Sequence, residues 1–175
     1  INRGEFSHYF LKEISESTQS IHKTLLGKYR IDTDQVGTQR VVFNLSTDVL
    51  PPQIKADLVR GRLRRIFVIG HGTAAVAGQA IGDALNRLLK DTSIVIDSVV
   101  ASELSGFALS HDLSDTLVIP ITQSGTTTDT NRAVTMARER GASVIAIVNR
   151  RQSDITTKAD GVLYTSDGRD IEMSV

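Results

Sequence analysis

The sequence predicts an α/β fold, a three-layer αβα sandwich with a five-stranded parallel sheet, preceded by an N-terminal helical segment. Two observations predict it. From residue 65 onward short apolar runs alternate with helical patterns, and each run is apolar throughout rather than on one face. Such strands are typical of a parallel sheet that helices cover on both faces. The length of 175 residues suits one domain of this kind.

The first 50 residues are expected to form an N-terminal helix and a linker. We expect Ser7 to cap the helix and Gly27 to close it. Its apolar residues recur near one helical face, at Phe10, Ile14, Ile21 and Leu25. Residues 30–50 are mixed and polar, which predicts an irregular linker with one short strand at 41–43.

The domain itself is expected to span residues 51–175 and to begin with a short helix. Proline is tolerated in a first helical turn, so the pair Pro51-Pro52 marks the start of this helix and Gly61 its end. Apolar runs then predict strands at 66–69, 94–99, 117–121, 143–148 and 161–164. Helical patterns separate them, at 73–89, 101–107, 127–140 and 153–158. Right-handed crossovers leave the carboxyl ends of all strands at one edge, where ligands of such folds bind.

Composition and charge limit the classes of partner. The 20 basic and 20 acidic residues give a formal net charge of zero, so the charge does not point to nucleic acid or to an anionic membrane. No apolar run approaches the ~20 residues of a membrane span, and residues 1–6 lack the apolar core of a signal peptide. The chain has no cysteine, which excludes disulfides and a cysteine nucleophile within it. These features suit a cytoplasmic protein, and we expect no cofactor and no metal site.

The segment after the third strand, T-Q-S-G-T-T-T-D-T at 122–130, concentrates groups that can bind an anion. It lies between a buried strand and a helix, so backbone N–H groups and the positive end of a helix dipole converge there. Hydroxyl and amide side chains add neutral donors: Thr122, Gln123, Ser124, Thr126 and Thr127. Neutral donors suit a phosphate monoester that is held by hydrogen bonds rather than by an ion pair. The alternative is a cluster of N-cap residues, since Ser and Thr are favoured before helices.

A second glycine turn, G-H-G-T-A-A at 70–75, follows the first strand of the sheet. It opens a helix at the same edge, so the two turns can flank one small pocket near the topological switch point. The turn departs from the dinucleotide fingerprint, because Ala75 stands at its third glycine position and Asp97 is slightly far for a ribose contact. A nucleotide-binding module of flavodoxin-like shape stays an alternative. His71 either faces the ligand or only serves the backbone geometry of the turn.

Several short segments carry a likeness to a known family: 6–14 (F-S-H-Y-F-L-K-E-I), 72–73 (G-T), 101–104 (A-S-E-L), 123–130 (Q-S-G-T-T-T-D-T), 146–149 (A-I-V-N) with Ser153, and 172–175 (E-M-S-V). In this order, over almost the whole chain, they resemble the sugar isomerase (SIS) domain family. Within it they are most similar to the first of the two SIS domains of glutamine–fructose-6-phosphate aminotransferases. The resemblance implies the flavodoxin-like SIS fold and phosphosugar binding.

The resemblance also implies roles for particular residues. The family's S-Q-S-G-x-T turn holds the sugar phosphate, and its positions match Thr122, Gln123, Ser124, Gly125 and Thr127. The threonine of the family's G-T-S turn contacts the sugar and matches Thr73, which follows Gly72. The valine of the family's E-I-G-V segment contacts the substrate through its backbone and matches Val175.

This sequence departs from the family pattern at three of these positions. Ala74 replaces the serine of G-T-S, Thr126 replaces a glutamate, and Thr122 replaces the first serine of the phosphate turn. Thr122 keeps a hydroxyl, whereas Ala74 removes one from the site. The loss at Ala74 therefore bears on which sugar binds more than on phosphate binding.

The resemblance implies the reaction of a longer protein. Ammonia from glutamine adds to fructose-6-phosphate, and ketose-to-aldose isomerisation gives glucosamine-6-phosphate. The family's acid–base groups lie in the second SIS domain and the C-terminal tail, so this chain has no catalytic residue and is expected to be inactive alone. Ile1 is not an initiator, and the chain stops at Val175 without a tail. We therefore expect a piece of a longer chain that also carries a glutaminase domain and a second SIS domain.

Two further expectations concern alternatives and assembly. A phosphosugar-sensing module of a regulator, or a deglycase or isomerase acting on another sugar phosphate, would use the same fold and phosphate turn. The helical segment at 6–14 favours the aminotransferase, because regulators usually carry a DNA-binding segment there. We also expect a homodimer, because apolar helices such as 73–89 need cover outside so small a domain.

Overall fold

The structure is a computed structural model that describes residues 3–165. In chain order its elements are α1 (Tyr9–Leu25), β1 (Tyr29–Thr33), β2 (Gln39–Phe43), α2 (Pro52–Val59), β3 (Arg65–Gly70), α3 (Thr73–Leu88), β4 (Val95–Val100), α4 (Ala101–Glu103), a π-helical turn (Leu104–Ala108), β5 (Thr116–Thr122), α5 (Thr128–Arg138), β6 (Ser143–Val148), α6 (Asp154–Lys158) and β7 (Gly161–Tyr164). Strands and helices alternate from β3 onward, as the sequence predicts.

The main sheet has five parallel strands in the order β4-β3-β5-β6-β7. The first strand of the sheet, β3, therefore lies between the second, β4, and the third, β5. From β3 the chain adds β4 on one side of the sheet, and then adds β5, β6 and β7 on the other side. This reversal of strand order makes the β3–β5 pair the topological switch point of a flavodoxin-like sheet. The predicted fold class is confirmed.

Helices cover both faces of this sheet and make the three layers. The side chains of β3 alternate, because successive residues of a strand point to opposite faces. Phe67 and Ile69 belong to a buried cluster with residues of α4, α5 and α6. Ile66 and Val68 belong to a second cluster that includes residues of α2 and α3. Apolar burial on both faces fixes the sheet and so fixes the loops at its carboxyl edge.

The N-terminal part differs from the sequence prediction. The strand expected at 41–43 is part of β2, but the rest of the expected irregular linker is replaced by β1, which pairs with β2 in an antiparallel hairpin. A polar turn joins them, in which one carboxylate oxygen of Asp34 accepts from the N–H groups of Val36 and Thr38, at 3.0 and 2.9 Å. Gly37 completes the turn with a φ of 87°. The helix begins at Tyr9, and His8 rather than Ser7 holds the N-cap position, without a capping side-chain bond.

The N-terminal part is attached to the edge strand β7. The ammonium of Lys28 donates to the carbonyl of Thr24 and, at 2.8 Å, to that of Tyr164. Burial, together with the nearby positive charge of Arg151, lowers the pKa of Lys28. Further along, the carbonyl of Asp48 accepts from the N–H of Val162 at 2.8 Å. The segment before α2 therefore satisfies part of the outer edge of the sheet.

Candidate functional site

The two glycine turns meet at the carboxyl edge of the sheet, on the switch point. The first, which we call the β3 loop, is residues 70–73, and the second, the β5 loop, is residues 122–127. They follow neighbouring strands, since β3 pairs directly with β5. Across the gap, Nδ1 of His71 lies 3.9 Å from a carboxylate oxygen of Asp129 in the first turn of α5. The prediction that both turns lie at one edge of the sheet is therefore met by the geometry.

Gly125 sets the shape of the β5 loop. Its φ is 69°, and its N–H donates to the hydroxyl of Thr122 at 3.2 Å, which closes a tight turn. A Cβ at this position would lie 2.0 Å from Oγ and 2.5 Å from Cβ of Ser153. Ser153 is buried and precedes α6, so the loop lies flat against the start of that helix. Only glycine adopts this φ without strain and, because it lacks a Cβ, lets the loop pack this closely against Ser153.

Two carbonyl groups of the β5 loop, those of Gly125 and Thr127, are turned into the protein. The carbonyl of Gly125 accepts from the backbone N–H of Ile155 at 3.1 Å and from Nδ2 of Asn131 at 3.0 Å. The carbonyl of Thr127 accepts from the backbone N–H and from Nδ2 of Asn131, at 3.0 and 3.1 Å. Carbonyl oxygens that face an anion repel it, so a loop that binds phosphate needs them bound elsewhere. The β5 loop meets this requirement at Gly125 and Thr127.

The hydroxyls of the β5 loop have different surroundings. Thr122 is only 6% exposed, and its hydroxyl oxygen accepts from Gly125 within the loop. The hydroxyl of Ser124 accepts from the N–H and the hydroxyl of Thr126, at 3.3 and 3.0 Å. Thr127 stands at the N-cap position of α5 but makes no side-chain capping bond. The hydroxyl of Thr127 therefore does not cap its helix, whereas the hydroxyl of Thr122 shapes the loop.

The β3 loop brings a second helix terminus to the same edge. Gly72 is the N-cap residue of α3, with φ 59° and ψ −132°, and Thr73 is the exposed first residue of that helix. Gly70 allows α3 to start close to the sheet, because a Cβ there would lie 2.6 Å from the carbonyl carbon of Ala74. The amino ends of α3 and α5 therefore both face the switch point, and each contributes partial positive charge.

The structure brings together all but one of the residues that the sequence singles out. Gly72, Thr73, Thr122, Gln123, Ser124, Gly125 and Thr127 lie in the two loops. Val175 lies outside the described residues, and its role stays a prediction, as do the ligand contacts of the others. Sequence reasoning missed Asn131 and Lys158: Asn131 is 7% exposed, and the ammonium of Lys158 donates to its Oδ1 at 3.0 Å. These two residues are 27 positions apart, so no local pattern links them.

A cavity of about 340 Å³ lies at the opposite edge of the sheet. Arginine and aspartate side chains share its lining with serine and apolar residues: Arg64, Arg65, Ser93, Val95, Ser110, Asp112, Leu113, Asp115 and Thr116. These residues precede or begin the strands, so the cavity lies at the amino edge and apart from the two glycine turns. We therefore place the candidate site at the switch point and not in this cavity.

Residues 3–165 give no indication of two other kinds of site. Within this range the histidine and carboxylate side chains form no group of three or more that could hold a metal ion. No helix in the same range is both long enough and apolar enough to cross a membrane. The expectation of no metal and no cofactor stays a prediction.

The family of the chain follows from comparison with known proteins. The SIS domain profile matches residues 62–175. This match covers more than half of the chain and includes both glycine turns. The chain belongs to the SIS domain family.

Curated relatives extend the likeness to almost the whole chain. Glutamine–fructose-6-phosphate aminotransferase (isomerizing) of Symbiobacterium thermophilum is 33% identical over 174 residues, 98% of this chain and 26% of that protein. The enzyme of the same name from Pyrobaculum aerophilum is 32% identical over 171 residues, 97% of this chain and 24% of that protein. The chain thus spans about a quarter of the length of these relatives.

Solved structures agree on the fold. The C-terminal domain of glucosamine-fructose-6-phosphate aminotransferase from Francisella tularensis superposes with a TM-score of 0.70 at 20% identity, over 97% of this chain and 42% of that one. Tagatose-6-phosphate ketose/aldose isomerase from Escherichia coli gives 0.65 at 16% identity, over 93% and 41%. At these identities the likeness bears on the fold and not on the substrate.

Proposed function

We propose that this chain is the phosphate-holding SIS domain of an isomerising glutamine–fructose-6-phosphate aminotransferase. The single observation that carries the proposal is the β5 loop, whose carbonyls at Gly125 and Thr127 are bound inside the protein while its hydroxyls and the amino end of α5 lie at the switch point. The aminotransferase relatives support the identity of the enzyme, because their alignment covers 97–98% of the chain. It therefore includes the N-terminal part, which lies outside the SIS match.

In this proposal the β5 loop binds the phosphate and the β3 loop binds the sugar. Gln123, Ser124 and Thr127 donate to phosphate oxygens, with Thr122 and Gly125 shaping the turn. Thr73 meets the sugar next to Gly72, and Val175 completes the site through its backbone. Holding the phosphate orients the reacting carbons, and binding energy from a remote group is used in this way to raise the rate. The acid–base steps belong to other parts of the longer protein, so this chain alone is inactive.

Isothermal titration tests the proposal. We expect the chain to bind fructose-6-phosphate and glucosamine-6-phosphate, and to show no turnover of glutamine with fructose-6-phosphate. Thr127→Val keeps the side-chain shape and removes one hydrogen bond, so it should weaken binding about tenfold. Thr92→Val is the matched control, because the hydroxyl of Thr92 bonds the carbonyl of Leu89 after α3, away from the two loops.

The same titration separates the alternatives. Tighter binding of tagatose-6-phosphate would favour an isomerase for another sugar, and tighter binding of a nucleotide than of any hexose phosphate would contradict the proposal. Turnover by the purified chain alone would contradict the assignment of the acid–base steps to other parts of the longer protein. A helix-turn-helix segment in the longer protein, in place of a second SIS domain, would favour the sensing regulator.

We also propose that the protein forms a homodimer through its exposed apolar helix faces. The helix α1 buries none of its residues, although Phe10, Ile14 and Ile21 recur along one face. On α3, Val76 and Leu88 are 64% and 80% exposed. Apolar faces of this kind mark association surfaces. Analytical ultracentrifugation should give a dimer, and a monomer at high concentration would contradict this.

The remaining expectations on location and partners belong to the same proposal. A cytoplasmic location and the lack of nucleic-acid and membrane partners stay predictions. The balanced charge of the chain supports the second of these. Cell fractionation of the longer protein tests the location.

A further inference from the structure

Two side chains behind the β5 loop form a hydrogen-bonded series that ends on the loop. The ammonium of Lys158, at the end of α6, donates to Oδ1 of Asn131 at 3.0 Å. Nδ2 of Asn131 then donates to the carbonyls of Gly125 and Thr127, at 3.0 and 3.1 Å. Asn131 is the fourth residue of α5 and is buried.

Lys158 and the two loop carbonyls together set which way the asparagine amide points. The oxygen and nitrogen of an amide side chain have almost the same shape, and hydrogen-bond partners determine their assignment. An ammonium group has donors only, so it requires the amide oxygen on its side. The NH₂ group must then face the loop, where it meets two carbonyls. A cation on the oxygen also strengthens the NH₂ group as a donor, because hydrogen bonds in series polarise one another.

The held carbonyls fix the direction of two N–H groups. In a trans peptide the C=O and the following N–H point in opposite directions, and the peptide bonds of the described residues are trans. With the carbonyl of Gly125 turned inward, the N–H of Thr126 points outward and donates to the hydroxyl of Ser124 at 3.3 Å. With the carbonyl of Thr127 turned along α5, the N–H of Thr128 points out of the helix end.

We propose that Asn131 and Lys158 are a positioning pair for the β5 loop, which holds two carbonyls away from the ligand, keeps the N–H of Thr128 directed toward it, and keeps the N–H of Thr126 on the hydroxyl of Ser124. Neither side chain contacts the ligand. The pair acts on the affinity for the phosphate group and not on the sugar. This inference rests on the proposed phosphate-binding role of the loop.

A double-mutant cycle on binding tests the pair. Asn131→Leu keeps the volume and removes the donor, so we expect about tenfold weaker binding of fructose-6-phosphate and of inorganic phosphate alike. Lys158→Met should weaken the binding of both ligands severalfold. Lys158→Arg should keep the affinity of the unaltered chain, because arginine also carries a cationic donor. In the Asn131→Leu background Lys158→Met should add nothing, because the amide that it orients is gone. Arg138→Met is the matched control, since it breaks an ion pair with Asp160 at the far end of α5.

A second measurement needs no ligand. The backbone ¹⁵N–¹H signals of Thr126 and Thr128 should shift in Asn131→Leu and Lys158→Met and stay unchanged in Arg138→Met. If Asn131→Leu and Lys158→Met left the loop signals unshifted, or had the same affinities as Arg138→Met, the proposed role of the pair would be wrong. Additive effects in the double variant would also overturn it. If the unaltered chain bound neither fructose-6-phosphate nor inorganic phosphate, the proposed function would fail, while the amide signals would still decide whether the pair orients the loop.

Discussion

Gly125→Ala is expected to abolish most phosphosugar binding, with a loss of roughly a hundredfold or more in affinity. Two costs combine at this position. Alanine in the left-handed region costs about 1–2 kcal/mol, and the φ of Gly125 is 69°. The new methyl group would also lie 2.5 Å from Cβ of Ser153, a clash that rotation of the Ser153 hydroxyl does not relieve. Overpacking of this kind costs about 1–3 kcal/mol. Titration with fructose-6-phosphate measures the result.

Two companion variants separate the causes of that loss. Gly37→Ala carries the same left-handed strain in the β1–β2 turn, where a Cβ meets nothing within 4 Å, so it should leave binding unchanged. Ser153→Gly combined with Gly125→Ala removes the two shortest contacts of the new methyl group and should recover part of the affinity. If Gly125→Ala alone bound fructose-6-phosphate about as tightly as the unaltered chain, the prediction would be wrong and the loop would tolerate another conformation.

Gly70→Ala is expected to destabilise the whole domain rather than the site alone. A Cβ at Gly70 would lie 2.6 and 2.7 Å from the carbonyl carbon and oxygen of Ala74 and 2.8 Å from the N–H nitrogen of Ala75. All three atoms belong to the backbone of α3, so the helix as a whole must move to make room. We expect a loss of about 3 kcal/mol, which for a domain of this size lowers Tm by roughly 6–12 °C.

Gly106→Ala provides the matched control for this loss of stability. Gly106 lies in the π-helical turn, where a Cβ would meet nothing within 4 Å. Thermal unfolding followed by circular dichroism should leave its Tm close to that of the unaltered chain. If Gly70→Ala and Gly106→Ala had equal Tm values, the prediction would be wrong, and the first turn of α3 could shift away from the sheet at little cost in stability.

The sequence predicts the parallel sheet well because its strands are buried on both faces. The bounds expected for β6 and β7 agree with the structure, since each strand is a continuous apolar run that begins near a glycine, Gly141 or Gly161. The sequence predicts part of β2 from its apolar run at 41–43 but misses β1 and the pairing, because both strands lie almost wholly exposed and no core contact fixes their pattern. The signal of the hairpin was instead the turn residue Asp34, which binds two N–H groups.

For the candidate site, the sequence predicts where the loops lie but not how they are held. Glycine and hydroxyl residues after buried strands indicate a ligand-binding edge, because parallel topology collects these ends. The contact between Asn131 and Lys158 depends on the packing of α5 against α6, and a sequence without its fold gives no distance between them. For the same reason the inward carbonyls of Gly125 and Thr127 became visible only in three dimensions.

The backbone hydrogen bond between the N–H of Val162 and the carbonyl of Asp48 limits how far the chain can be truncated at its N-terminus. The expected division at residue 50 stays a prediction, but a cut there would remove the carbonyl that covers part of the β7 backbone. Uncovered strand edges recruit other strands and lead to aggregation. The turn that presents Asp48 depends on Ser46, whose carbonyl accepts from the N–H groups of Val49 and Leu50. A trimmed version for crystallisation should therefore begin no later than Ser46.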